Sequence, residues 1–544
     1  MTGQITSIDW AIILGYCIGM LALAAWLARG QTDREDYYVG GRNIGAWPVG
    51  LSIMATQCST NSILGAPAFV AFAAGGGLVW LQYELAVPLA MIILILFVMP
   101  LFRHMKLVSV YAYLEQRFDL KTRLVLSGLF LFVRAFATAV TVYSIAIVIE
   151  LITGLGFVAS VLLLGLFTII YDVMGGIRGV IYSDVLQLLV LVLMLILVFL
   201  NLLDANNGLF AMWSQFSEER SVPLDFSHHG LGDGETFAFW PMLFGGLFLY
   251  VSYYGCDQSQ VQRQLSTRDI DTTNKALLIN GLLRFPLVML YCFVGVGIAV
   301  YASQNPGFIE NLPNKNGQPE LNLAVPIYMI QSLPIGLVGL SLVALFAAAM
   351  SSLDSVLNSL SATTMEDFVR RFHHGKWTAA KELVYSRVIT AIWGAVTLTM
   401  AFYVSDIAPT VLEAINKIGS LANGPILAVF ALGFFCYSVA GTHAISGLII
   451  GIVVNALCWL FLPQLSWLWW NVLGFVISFC SAWLLALAFQ KKGQLHMPPN
   501  TELYEHAVRQ YLTKEAQINW YKASSILFIW FGALFCGLYF IGFT

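Results

Sequence analysis

Charge is what this sequence has least of. Of 544 residues, 10% are charged and 59% are hydrophobic, a balance foreign to soluble domains. The formal charge of -3 and the lack of any basic stretch interleaved with aromatics give no ground for a nucleic-acid partner. The eight cysteines (17, 58, 256, 292, 436, 458, 480, 536) contain no C-x-x-C pair and lie in or beside apolar segments. They read as small hydrophobes, not as a disulfide framework or metal site. No G-x-x-x-x-G-K-[ST] occurs, since Gly375-Lys376 is followed by Trp377 without the upstream glycine, and there is no H-E-x-x-H and no G-x-G-x-x-G opening a helix after a strand. ATP hydrolysis, zinc peptidase and dinucleotide chemistry are thereby excluded, and neither an enzyme nor an organic cofactor is expected. His228-His229 and His373-His374 fall in loops and read as solvated. A pore filter contributed by several subunits and a sizeable soluble output domain are also missing, which argues against a channel and a sensor.

What the chain has instead is apolar runs of membrane-spanning length from end to end, about fourteen of them, so it reads as an all-α polytopic membrane protein and not a β-barrel. No lysine or arginine precedes the first run, Ile8 to Ala28, whereas Arg29, Arg34 and Arg42 follow it. This predicts a retained first span with the N-terminus outside. If each later run reverses, about twenty-two basic residues, Arg178, Arg263 and Lys275 among them, fall inside against Arg220 and Lys315 outside, with the C-terminus outside as well. Two spans read as broken. The second, Gly45 to Ala73, carries Thr56-Gln57-Cys58-Ser59-Thr60-Asn61-Ser62 at mid-depth with Gly65 and Pro67 after it, and the seventh, Phe237 to Cys256, contains Pro241, Gly245 and Gly246. Lying five spans apart, they cross in opposite directions. That is the pattern of an inverted repeat whose interrupted first helices bind solute and ion near the midplane.

The stretch Ala347 to Asn358, Ala-Ala-Ala-Met-Ser-Ser-Leu-Asp-Ser-Val-Leu-Asn, sets hydroxyls and a carboxylate inside an apolar segment. Ser351, Ser355 and Ser359 share a helical face, with Ser352 beside them and Asp354 three residues on from Ser351. Intramembrane ionisable groups mark function by default, though such serines also bond to neighbouring helices. Between spans five and six, Tyr171 to Gln187 contains Gly175-Gly176, read as a tight cytoplasmic turn with Arg178 in water. Asp184 reads either as a helix cap or as a carboxylate facing the serines and sharing a cation with them.

The Tyr-x-x-x-Gly-Gly-x-x-x-Val-x-x-x-Asp-x-x-Gln run resembles the signature of the sodium/solute symporter family. Ala-Ala-x-x-Ser-Ser-x-x-Ser-x-x-Asn-Ser, Asp257-Gln258-x-x-Val-Gln-Arg and Ser109 to Phe118 are similar to family patterns, in the right order over most of residues 8 to 490. The resemblance implies a LeuT-type core of five plus five helices in spans two to eleven. Expected boundaries are a first span and linker at 1–43, repeats at 44–203 and 237–440 around an outer loop at 204–236, peripheral spans at 441–490, a cytoplasmic connector at 491–522 and a last span at 523–544. Within the connector, Asn500 to Ala516 reads as a short capped helix. Carried over, the common sodium site would use the carbonyls of Ala55, Cys58 and Ala348 and the hydroxyls of Ser351 and Ser352, all hard ligands for a hard cation. An additional sodium site would map to Asp184, Ser351, Asp354 and Ser355, although Asp354 departs from members with a neutral residue there.

The resemblance also implies a cell-membrane symporter, functional as a monomer, that imports a small polar solute with sodium. Gln57, Ser59, Thr60, Asn61 and Ser62 offer it neutral hydrogen-bonding groups. Glu84 matches a glutamate that binds sugar hydroxyls in sugar-transporting relatives. Arg134 matches an arginine that holds the carboxylate in sialic-acid-transporting ones. Asp257 and Asn416 complete the candidate set. A guanidinium fork suits a carboxylate, so the expectation leans to a carboxylate-bearing solute, with a neutral sugar second. A buried Arg134–Glu84 pair is the alternative.

Overall fold

In a computed structural model, residues 6–58, 60–315, 317–373, 375, 377–403, 411–489 and 510–542 are described. Apart from a hairpin pairing Asn314–Lys315 with Gln318–Pro319, their regular structure is helical. Helix α1 (Ser7–Leu27) opens with a capping box between Thr6 and Asp9. The Asp9 carboxylate also accepts from Gly336 N at 3.0 Å and Gly339 N at 2.7 Å. It therefore ties the first helix to the start of a distant one instead of standing alone in lipid. After α2 (Arg34–Val39), the second span comes as two pieces, α3 (Ala46–Gln57) and α4 (Thr60–Phe72). Cys58 between them has φ -80° and ψ 63°, which ends the helical hydrogen bonding where the polar run predicts a break.

There follow α5 (Leu78–His104) and α6 (Leu120–Thr153), the latter capped by Asp119. Helix α7 (Phe157–Ala205) has 49 residues, about 74 Å at 1.5 Å per residue and too long for one crossing. Its bend is Gly176, at φ 54° and ψ -161°. A Cβ there would lie 2.7 Å from the Tyr37 ring and 2.8 Å from its carbonyl oxygen, so both the dihedral and the close approach require glycine. Arg178 does not stay in water as expected. It is half-buried and donates from Nε and Nη2 to Gly40 O, at 3.0 and 2.8 Å.

The interruption of the seventh span also falls elsewhere than its glycines suggest. Pro241–Gly245 form a π turn that runs into α8 (Gly246–Cys256), and the chain breaks at Asp257, φ -92° and ψ 125°, before α9 (Gln258–Leu265). Pro241 stands at a helix start, where its missing N–H costs nothing. Gly245 is there for close packing, because a Cβ would sit 2.4 Å from Leu468 O. Then come α10 (Ile270–Gln304), α11 (Leu337–Phe372), α12 (Ala379–Tyr403), α13 (Val411–Phe435), α14 (Gly441–Phe461), α15 (Trp469–Phe489) and α16 (Ser525–Ile541).

Eleven helices among the described residues are long and apolar enough to cross a bilayer. The expected fourteen counts separately the α3–α4 pair, the short α8 segment and the two halves of α7. Helix α11 lies at the centre, packed along α7, α6 and α1 and buried through nearly all of residues 339–363. The connector expected at 491–522 lies outside the described residues up to 509. Beyond that, Asp271 accepts from Gln517 N at 2.8 Å and from Trp520 Nε1 at 2.6 Å, fixing the chain before the last helix.

Candidate functional site

Helix α3 ends beside α11. Thr56 Oγ1 lies 3.2 Å from Ser355 Oγ, so the frayed C-terminal turn carrying Ala55 and Cys58 faces the serine ridge. That turn ends in carbonyls that no longer continue a helix and carry the negative end of its dipole. Opposite, Ser351 and Ser352 each donate to Ala348 O at 3.2 Å. With its proton turned back along its own helix, each hydroxyl keeps lone pairs for another partner. The five expected ligands therefore sit on two neighbouring elements and are all oxygens, a donor set that fits sodium. Ser352 alone of them lines the large cavity described below, and Ser351 is buried behind it.

The other expected ion site looks different. Asp184 does face the serines, but the cation they share is the guanidinium of Arg263. Its Nη2 lies 3.1 Å from Asp184 Oδ2 and also donates to Ser355 Oγ, its Nε donates to Ser52 Oγ at 2.8 Å, and Nη1 donates to Ser259 O. Arg263, assigned by the inside-positive count to a cytoplasmic loop, is fully buried. It is buried because α9, beyond the Asp257 break, still runs through the protein with all eight of its residues buried, ending only where Leu265 O accepts from Arg42 and Arg103. Asp354 accepts from the Tyr171 hydroxyl and from Ser183 Oγ at 3.4 Å. Asp172, which the sequence reading passed over, is wholly buried beside the Asn358 amide, and among the described residues neither carboxylate oxygen meets a donor in hydrogen-bond geometry.

Between α4, α5, α6, α8, α10 and α13 lies a cavity of about 1120 Å³, ample for a small organic solute. Gln57, Ser62, Glu84, Arg134, Asp257 and Ser352 line it, and its mouth is framed by residues 318–323 and by Thr236 and Phe237, from the loops expected outside. Ser59 and the side chains of Thr60, Asn61 and Asn416 lie outside what is described.

Arg134 and Glu84 do not satisfy one another. Arg134 Nε donates to Asp257 Oδ2 at 2.5 Å, with the guanidinium 4.9 Å over the Tyr253 ring. Glu84 accepts from Arg284 Nε at 3.2 Å and from Tyr250 Oη at 3.1 Å. Arg284 Nη1 also reaches Cys58 Sγ at 2.8 Å, at the helix break. The sequence reading missed Arg284, though an arginine inside the apolar run of α10 carries the same signal that singled out Arg134. Both oxygens of Glu84 are taken, while the Nη atoms of Arg134 meet no protein acceptor among the described residues and are not sealed from the cavity. The cavity thus offers a guanidinium fork more freely than a carboxylate.

At the opposite end, ion pairs knit α2, α6, α11 and α12 together. Arg34 meets Glu366 and Glu382, Arg370 meets the same two, and Arg123 meets Glu115 at 2.7 Å and Asp367. Asp367 is buried and also accepts from Ser109 Oγ at 2.8 Å and Ser127 Oγ at 2.5 Å. Asp367→Ala should cost about 3 kcal/mol, because it breaks a buried ion pair and leaves the Ser109 and Ser127 hydroxyls without their acceptor, although Arg123 keeps Glu115. Thermal unfolding in detergent would show this as a clear downward shift in Tm, whereas Arg370→Ala, at the exposed edge, should barely move it. Outside the membrane, His228 pairs with Asp225 at 2.9 Å, and no cluster of metal-ligating side chains occurs among the described residues.

The chain matches the Sodium:solute symporter family over residues 37–451. It is 27% identical over 495 residues to the sodium/sialic acid symporter SiaT of Proteus mirabilis (strain HI4320), covering 90% of this chain and 97% of that one. It is 26% identical to the human sodium-coupled monocarboxylate transporter 1, covering 82% and 72% respectively. Among solved structures, a substrate-bound outward-open Na⁺-coupled sialic acid symporter superposes with a TM-score of 0.80 at 25% identity, covering 90% of this chain and 99% of that one.

Proposed function

Because the chain belongs to the sodium:solute symporter family, we propose that it imports a small carboxylate-bearing solute, such as a sugar acid, sialic acid or monocarboxylate, together with sodium. The observation that carries the choice of solute is the pair of Arg134 Nη atoms left open to the cavity while Glu84 is fully engaged. Asp257 already neutralises Arg134, so the solute is not needed as a counter-ion. It is recognised because two parallel N–H donors match a carboxylate. The named solutes of the two relatives, sialic acid and monocarboxylates, are of the same class.

Sodium at Ala55, Cys58, Ala348, Ser351 and Ser352 would pin the end of α3 against α11, next to Gln57 and Ser352 on the cavity wall. Ion and solute then favour the same closed arrangement, and coupling is that shared preference. At 100 mV, inside negative, each sodium contributes about 2.3 kcal/mol to solute accumulation. The cavity and sodium site lie within one chain, which supports a functional monomer, and the charge bias of the loops supports both termini outside.

The test is uptake into proteoliposomes of labelled sugars and their matching sugar acids, with and without an inward sodium gradient. Sodium-driven accumulation of acids above the equilibrium level supports the reading. Current without accumulation would identify a channel, and preference for neutral sugars would give the substrate role to Glu84 and Arg284.

A further inference from the structure

Two of the five oxygens proposed for sodium depend on where one residue sits. Cys58 offers its own carbonyl at the break between α3 and α4, and its N–H donates at 3.0 Å to Ala55 O, the other carbonyl of that turn. At φ -80° and ψ 63° it has left the helix, so the regular ladder no longer fixes the direction of its carbonyl. Its side chain is held from outside. The buried thiol accepts from Arg284 Nη1 of α10 at 2.8 Å, and Tyr291, two turns further along the same face of α10, lies beside it.

Arg284 is itself anchored. Its Nε donates to Glu84 Oε2 of α5 at 3.2 Å, and Glu84 Oε1 accepts from the Tyr250 hydroxyl of α8 at 3.1 Å. All three side chains line the solute cavity. We propose that Arg284 is a positioning residue for the common sodium site: anchored on the cavity wall, it grips the Cys58 thiol and so sets the carbonyls of Ala55 and Cys58 against Ser351 and Ser352. This rests on the sodium reading above and names the contact that shapes its site. A guanidinium is planar and rigid, so the bond that Nε makes to α5 fixes the direction in which Nη1 points. The thiol therefore follows the cavity wall. Sulfur is a weak acceptor, and the bond gains its strength from the charge of its donor.

The experiment is equilibrium binding of ²²Na⁺ to the purified full-length protein without solute, so that recognition of the solute does not enter. Cys58→Val keeps an apolar side chain of similar bulk but accepts no hydrogen bond, whereas Cys58→Ser gives up bulk and keeps an acceptor. Valine should weaken sodium binding about 10-fold, the lower end of what a hydrogen bond to a charged group is worth. Serine should restore most of it. A cysteine that only fills space predicts the reverse order, and that order, an equal loss in both variants, or wild-type affinity in Cys58→Val would overturn the proposal. The arginine's part is read in a background carrying Arg284→Gln with Glu84→Gln, which leaves no buried charge unpaired between them. There Cys58→Val should cost nothing further, and a further loss of the same size would assign the effect to something other than Arg284. If Cys58→Val does not fold, Cys58→Ala takes its place with the same expected loss; if the double background does not fold, the comparison of valine or alanine with serine decides alone. Wild type that binds no sodium overturns the sodium reading and the clamp with it, a result distinct from sodium binding that ignores residue 58.

Discussion

Ser352→Ala should raise the sodium concentration for half-maximal uptake about 10- to 100-fold, because a hydrogen-bonding or ligand oxygen facing a charge is worth about 1.5–3 kcal/mol. Maximal uptake at saturating sodium should be retained. Among the described residues the hydroxyl's one partner is Ala348 O at 3.2 Å, a carbonyl of its own helix, so its removal strands no donor there. Ser351→Ala should act in the same direction for the same reason. The measurement is the sodium dependence of initial uptake rates. Expressed mutants with wild-type sodium dependence would show that the ion sits elsewhere.

Arg134→Gln should abolish competition by carboxylate solutes at concentrations about 100-fold above those effective on wild type. Losing one member of a desolvated charged contact costs about 2–5 kcal/mol. The mutation also strands Asp257, so it must be read beside Asp257→Asn, which frees Arg134 Nε while leaving both Nη atoms in the cavity. A recognition role predicts that acids still compete in Asp257→Asn and fail in Arg134→Gln. A merely structural pair predicts equal damage in both. If neutral sugars compete best and Arg134→Gln leaves acids untouched, the carboxylate reading is wrong.

The sequence by itself determined the class of the protein, because hydrophobic length and scarcity of charge can be met in only one solvent, and a chain so apolar must satisfy its backbone in helices. It also placed a break within the polar run Thr56 to Ser62, where consecutive polar side chains compete with the helix ladder, and it singled out the serines of α11, since polarity in lipid is expensive. What it could not supply was pairing. Arg134, Glu84, Asp257 and Arg284 were separate charges in the chain, and only packing α5, α6, α8 and α10 around one cavity decided that they meet as Arg134 with Asp257 and Glu84 with Arg284. Arg263 carried the same limitation further. Counted as a loop residue by its place after an apolar run, it is buried because the polar helix α9 is packed on all sides by protein, and a charge count along the chain is blind to that packing. The glycines of the seventh span misled for a related reason, since Gly245 answers to the Leu468 carbonyl of α15's approach and not to its own helix. Local pattern fixes what a segment can tolerate. Which ion a carboxylate finally faces depends on residues dozens to hundreds of positions away, and only the tertiary structure brings those together.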